Sequence, residues 1–120
     1  MEKITIEGIR VRTFLGVSEK ERARKQQLSV SVEFEPSAAF EEINDNIENT
    51  VNYSSIRKDV KALLQGKKCK LIETAAVLLA HALMDAYPVK SLTVRVKKYP
   101  YKDTKFISCS FSLDSTHREA

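Results

Sequence analysis

Four side chains in this 120-residue chain have the types and positions to take part in chemistry. Glu21 lies in a long charged stretch, Tyr53 opens one helical stripe, Glu73 opens another, and Lys98 stands just before Tyr99-Pro100. Carboxylate, phenol and ammonium are the groups of general acid–base catalysis and of charge stabilisation. Each also has an ordinary structural role: solvated loop, helix staple, helix-dipole partner and exposed strand end. The remaining inventory is thin. There is no Walker motif, GxGxxG, HExxH or GxSxG. His81 sits inside an apolar segment and reads as a core or interface histidine, while His117 is in the tail. No His, Cys and carboxylate cluster has ligand spacing, so neither a metal nor a cofactor is expected. Cys69 and Cys109 form no CxxC pair and read as reduced thiols, Cys109 buried as a small apolar group.

The elements that must position these residues follow from periodicity. The most apolar run, residues 71–87, has Ile72, Ala75, Ala76, Leu79 and Leu83 at helical spacing. Leu71, Leu78 and Ala82 add a second apolar line, which predicts a helix covered on more than one side. Before it, Tyr53, Ile56, Val60, Leu63 and Leu64 make another stripe, with Asn52 as N-cap and Gly66 as stop. A basic link, residues 67–70, makes the two helices an antiparallel pair. Strands are predicted over residues 3–15, 27–35, 91–98 and 106–113. In the first, the alternation slips by one at Gly8, the signature of a β-bulge. In the second, Leu28, Val30, Val32 and Phe34 alternate with polar residues up to Pro36; the last two alternate in the same way. Residues 16–26 read as a polar loop, residues 37–49 as irregular apart from a helical turn near 38–43, and the tail from Asp114 as frayed.

The order β-β-α-α-β-β predicts an α+β domain spanning 1–120, with two helices on one face of a four-stranded antiparallel sheet. Serine, threonine, glutamate, arginine and lysine build the other face, which suits water or the wet lumen of a larger barrel. Two open edges call for pairing between copies into a ring. The net charge of +4 invites a nucleic-acid reading, but the basic residues are scattered and no nucleic-acid motif is present. No run is apolar enough to span a membrane, and the charged start, MEKITIEGIR, is unlike a signal peptide. A cytoplasmic enzyme without nucleic-acid or membrane partners is the expectation.

Four segments, in order, carry a resemblance: IEGIRVRTFLGVSEKE at 6–21, VNYSSI at 51–56, KLIETAA at 70–76 and VRVKKYP at 94–100. The chain resembles dihydroneopterin aldolase and its relative, dihydroneopterin triphosphate epimerase, over nearly its whole length. The resemblance implies the tunnelling fold, in which four sheets join into a sixteen-stranded ring and two rings stack into an octamer, with sites between adjacent subunits. It implies a lyase of folate biosynthesis: retro-aldol cleavage of 7,8-dihydroneopterin into 6-hydroxymethyl-7,8-dihydropterin and glycolaldehyde. The substrate's own C6=N5 imine takes the electrons, so no metal or Schiff base is needed. Glu73 matches the carboxylate that grips the pterin, and Ile72 the neighbour whose backbone completes that edge. Lys98 matches the lysine near N5, Glu21 the carboxylate that organises a catalytic water, and Tyr53 the tyrosine near the hydroxypropyl tail. Asn52 stands where many aldolases carry histidine. The RTFLG run at 12–16 is close to the epimerase branch, whose substrate carries a triphosphate. Arg22, Arg24, Lys25, Lys102 and Lys105 are candidates to neutralise it.

Overall fold

The computed structural model describes residues 2–66 and 69–116. Four antiparallel strands form one sheet in chain order: β1 (Ile4–Phe14), β2 (Lys25–Pro36), β3 (Val89–Lys98) and β4 (Ile107–Asp114). A short helix α1 (Glu19–Arg22) links β1 to β2; α2 (Tyr53–Gln65) and α3 (Ile72–Ala86) lie between β2 and β3 in sequence. Three-residue 3-10 turns at Phe40–Glu42 and Ile47–Asn49 punctuate the connection from β2 to α2.

Alternation decides which face is buried. Leu28, Val30, Val32 and Phe34 of β2 pair with Val11, Ile9, Ile6 and Ile4 of β1. Val30, Val32 and Phe34 pair on the other side with Val96, Val94 and Leu92 of β3. The β1 register advances three residues, from Ile6 to Ile9, while β2 advances two. The extra residue is a bulge at Glu7–Gly8, where Gly8 adopts φ +71 and its N–H donates to Ser31 Oγ at 3.0 Å. Without that extra residue Ile9 and Val11 would turn to the polar face. α2 packs against β1, and α3 packs against β3 and β4. The core between them contains Ile56, Val60 and Leu64 of α2 with Ile72, Ala75, Ala76, Leu79, Ala80, Leu83 and Met84 of α3.

The opposite sheet face is polar. Thr93 and Ser112 hydroxyls meet at 2.7 Å, Arg95 Nε donates to Ser110 at 3.3 Å, and Lys3 pairs with Glu33 at 2.7 Å. Asn52 caps α2 by accepting from Ser54 N–H, and Gly66 closes it. At that C-terminal end the buried Thr13 Oγ1 donates to the Leu64 carbonyl at 2.6 Å, fastening the last turn of α2 to the end of β1.

Several expectations are corrected. The stretch 16–26 is not all loop: Ser18 and Glu21 form a capping box that nucleates α1. The second apolar line of α3 is only partly covered within the chain: Leu71 is 42% exposed, while Leu78 and Ala82 are half-buried. β3 begins at Val89, where Pro36 of β2 finds its partner across a register shift. Asp114 is not frayed but closes β4, paired with Ser91 and accepting from Thr116 N–H at 3.0 Å. Cys109 is half-buried rather than buried, because β4 is an edge strand and α3 covers its core face incompletely. His81 is also half-buried, with its ring 6.0 Å from that of Phe111. His117, and Lys67 and Lys68 of the basic link, fall outside the described residues.

Candidate active site

The end of the sheet where β1 finishes, β2 begins and β3 finishes gathers three of the four candidate residues. β1 runs on to Leu15, which bridges in parallel to Cys69, and Gly16 N–H donates to the Cys69 carbonyl at 3.3 Å. This tie brings the entry of α3 beside the start of α1. Arg22 then pins the corner, with Nη1 donating to the carbonyls of Gly16 at 2.9 Å and Val17 at 2.6 Å. Gln26 braces it from the β2 side through Nε2 to the carbonyls of Leu15 and Glu21.

Within this frame Glu21 is fixed from one side. Its Oε1 accepts from Ser18 Oγ at 3.2 Å and from Ser18 N–H at 3.4 Å, while its own N–H donates to Ser18 Oγ at 3.1 Å. Oε2 makes no hydrogen bond among the described residues. The side chain lies against Gly16: a Cβ there would sit 2.3 Å from Glu21 Cβ and 2.9 Å from Oε2. Gly16 also has φ +150, so glycine is required both by the backbone and by the carboxylate packed on it.

Lys98 is the last residue of β3 and pairs with Ile107. The β3–β4 register is unbroken, so Lys98 shares a face with Leu92, Val94 and Val96, and Lys97 takes the polar face. Lys98 is therefore directed to the helix side at the strand end and is half-buried, not an exposed outward lysine. Lys97 instead lies over the Phe106 ring at 4.3 Å. Glu73 is exposed in the first turn of α3, whose N-cap, Leu71, offers no side-chain hydrogen bond. The helix end is thus left to Glu73 and to whatever binds there. Glu73 is near enough to Cys109 for its charge to act on it: burial first, then the Glu73 carboxylate, push the Cys109 thiol above its ordinary range. Cys109 pairs with Val96, two residues from Lys98 on the same face, so the first turn of α3 and Lys98 lie toward the same end of the fold. Ile72 has its side chain in the core at 4% exposure, which leaves only its backbone for a ligand.

Tyr53 does not join them. It is 57% exposed at the N-terminus of α2, whose C-terminal end is the one fastened to Thr13. Eleven residues separate Tyr53 from Leu64, about 17 Å along a helix. In one chain Tyr53 lies at the far end of α2 from Glu21.

A cleft of about 350 Å³ opens beside Glu21, lined by Lys20, Glu21, Arg24, Lys25, Gln26, Tyr99 and Pro100. Lys20, Ser18, Gly16 and Gln26 were not singled out by sequence reasoning. The S-x-x-E spacing of residues 18–21 was the signal that could have found the Ser18–Glu21 box. Nothing local could have marked Gln26 or Gly16 as supports of Glu21. Among the described residues no three metal-ligating side chains gather, and no helix is long and apolar enough to cross a membrane.

The fold and the sequence both have counterparts among known proteins. The family model of FolB, dihydroneopterin aldolase, matches residues 4–111. The chain belongs to the dihydroneopterin aldolase family. Dihydroneopterin aldolase of Bacillus subtilis is 29% identical over 99 residues, 82% of either chain. Dihydroneopterin triphosphate 2'-epimerase of Pseudomonas aeruginosa is also 29% identical over 99 residues, covering 82% of this chain and 80% of that relative. In fold, the chain matches E. coli dihydroneopterin aldolase, solved in complex with neopterin. The TM-score is 0.84 at 20% identity, covering 94% of this chain and 99% of that one. The four-stranded sheet with two main helices is the tunnelling fold of this family.

Proposed function

We propose that the chain is a dihydroneopterin aldolase, cleaving 7,8-dihydroneopterin into 6-hydroxymethyl-7,8-dihydropterin and glycolaldehyde. The observation that carries this reading is the placement of Lys98 and Glu73 on the helix-facing side of one sheet end, with Glu21 braced at the same end. The family match and the neopterin complex of the E. coli relative support the choice of a pterin.

In this reading Glu73 accepts two hydrogen bonds from the pterin's adjacent ring N–H and amino group, and the Ile72 backbone completes that edge. The helix N-terminus favours the carboxylate as an anion. A proton leaves the C2' hydroxyl, the C1'–C2' bond breaks, and its electron pair moves through C6 to N5. Lys98 stabilises the charge arriving at N5 and, through water organised by Glu21, delivers a proton there. Glycolaldehyde departs, and protonation at C1' with return of the N5 proton to water restores the C6=N5 imine in the hydroxymethyl product. Tyr53 acts on the hydroxypropyl tail from a neighbouring copy. The open β1 and β4 edges favour a cytoplasmic homo-oligomeric ring, or an octamer of two rings, that places the two ends side by side.

A second reading, epimerisation of 7,8-dihydroneopterin triphosphate at C2', uses the same cleavage followed by re-addition to the other face of the aldehyde. The identity shared with the Pseudomonas aeruginosa epimerase favours considering it. Incubating the protein separately with dihydroneopterin and its triphosphate, with mass analysis of products, decides between them. Glycolaldehyde release supports the aldolase; an isomerised triphosphate without glycolaldehyde supports the epimerase. Lys98→Ala and Glu21→Ala are expected to fold normally and to lose product formation, and unchanged turnover in either removes the role assigned to that residue.

A further inference from the structure

We propose that Gln26 is the positioning residue that sets the Glu21 carboxylate against Lys98. The proposal rests on the pterin reading and adds to it the residue that couples two of its charged groups. α1 has four residues, far below the roughly 12–15 at which an isolated helix holds itself together in water. Its place is therefore set by side chains. The Ser18–Glu21 box and the two Arg22 bonds begin and end within residues 16–22, so they shape the turn without attaching it to the sheet. Among the described residues, one side-chain hydrogen bond ties α1 to a strand: Gln26 Nε2, from β2, donates to the Glu21 carbonyl at 3.3 Å. The same nitrogen donates to the Leu15 carbonyl, just past the end of β1.

Register brings Gln26 beside Lys98 as well. Gln26 pairs with Thr13, whose buried hydroxyl reaches Leu64 of α2, so Gln26 belongs to the helix-facing side of the sheet. Lys98 belongs to that side too. Ser29 pairs with Lys97; continuing that antiparallel register places Leu28 across from Lys98, and Gln26 two residues further along. Diagonal neighbours of this kind lie about 7–8 Å apart, within reach of long side chains. Gln26 also lines the cleft with Glu21 and with Tyr99 and Pro100, the two residues after Lys98. Two carbonyl acceptors fix which way the amide faces: its nitrogen is spent on β1 and α1, and its oxygen makes no hydrogen bond among the described residues. An amide oxygen accepts from an ammonium. Gln26 thus holds the main chain of Glu21 through one end of its amide and offers the other to Lys98.

The test compares full-length wild type with Gln26→Met, which keeps the side-chain length and removes both amide bonds. Gln27→Met, at the exposed neighbouring glutamine on the opposite face, is the control. Single-turnover cleavage of dihydroneopterin reads the chemical step, and titration with neopterin reads affinity. Gln26→Met is expected to lose at least about tenfold in the chemical step, because small misplacements of reacting groups cost rate steeply. Its neopterin dissociation constant is expected to stay at the wild-type value, since Glu73 and Ile72 hold the pterin. Gln26→Asn, an amide too short to reach the Glu21 carbonyl, is expected to show the same split, and Gln27→Met to match wild type. A wild-type rate in Gln26→Met, or a loss of rate matched by an equal loss of affinity, would overturn the positioning role. Hydrogen exchange at the Glu21, Arg22 and Ala23 amides reads the tie without turnover. Exchange at least about tenfold faster there, and unchanged in α2 and α3, is expected for Gln26→Met; unchanged exchange at all three amides overturns the tie. A wild type that turns over neither pterin overturns the retro-aldol reading instead, and the exchange arm still decides whether Gln26 holds Glu21.

Discussion

At the scale of single residues, Glu21 is held through one oxygen by Ser18 while the other oxygen lies beside Gly16 with no hydrogen bond among the described residues. A carboxylate fixed on one side and open on the other can order a water without rearranging. The geometry depends on Gly16 as much as on Glu21. Gly16→Ala forces a β-carbon into the Glu21 side chain and strains a backbone at φ +150, at a cost of about 1–3 kcal/mol. The expected result is a lowered melting temperature together with a loss of kcat approaching that of Glu21→Ala; a variant with wild-type kcat would show that Glu21 need not stand where it does. Glu73→Gln separates anchor from dipole partner in a different way. Retained melting temperature with a large rise in the dissociation constant for neopterin is the expected outcome, and unchanged affinity returns Glu73 to a helix-end role.

At the scale of elements, α2 and α3 are joined away from the site as well as through the core. Tyr87, just beyond α3, donates its hydroxyl to Asp59 of α2 at 2.5 Å. Burial, then the hydrogen bond and charge of Asp59, push the Tyr87 phenol from its ordinary 10.0 up to about 12. A folded-state pKa raised above the unfolded value gives stability that is complete below pH 10 and declines as pH rises toward 12. Tyr87→Phe is expected to cost about 1 kcal/mol near neutral pH, and to flatten the loss of stability between those pH values. Parallel denaturation curves for wild type and variant across that window would contradict it. The sheet side has its own fastening in Thr13, whose hydroxyl closes the α2 C-terminus on Leu64. Thr13→Val keeps the shape and loses that bond, which destabilises α2 at its site end by about 1 kcal/mol.

At the scale of the whole molecule, the antiparallel helix pair puts Tyr53 and Glu21 at opposite ends of α2. A reaction that needs both then needs two copies of the chain, and the exposed Leu71 and Val77 add apolar surface beyond the monomer core. Mixing is the direct check. Tyr53→Ala and Lys98→Ala proteins, each inactive alone, are expected to regain part of the wild-type rate when unfolded and refolded together, since hybrid rings contain some intact sites. No recovery from a mixture shown by native mass spectrometry to contain hybrids would place all the site residues in one chain.

Much of the fold was legible in the sequence because it rests on local rules. Period-two alternation at 28–34 and 92–96, the slip at Gly8, and the Asn52 and Gly66 ends of α2 are consequences of pleat, bulge and capping chemistry that a few neighbouring residues settle. The residues with chemical potential were legible by type, and a role for Glu21, Tyr53, Ile72, Glu73 and Lys98 came from family resemblance. What the sequence could not supply was direction and company. Lys98 looked like an exposed strand end, yet unbroken pairing with β4 turns it to the helix side. Arg22 looked like a free cation, yet the β1 corner consumes it, while Lys20 comes to face the cleft. Tyr53 was named for the same site as Glu21, yet it stands at the opposite end of α2 from Leu64, about 17 Å along the helix. Local chemistry determined which elements form and which side chains could react; contacts between residues far apart in sequence decided which of them meet. Such contacts depend on register and helix direction summed over the whole chain, and no short stretch of residues contains that sum.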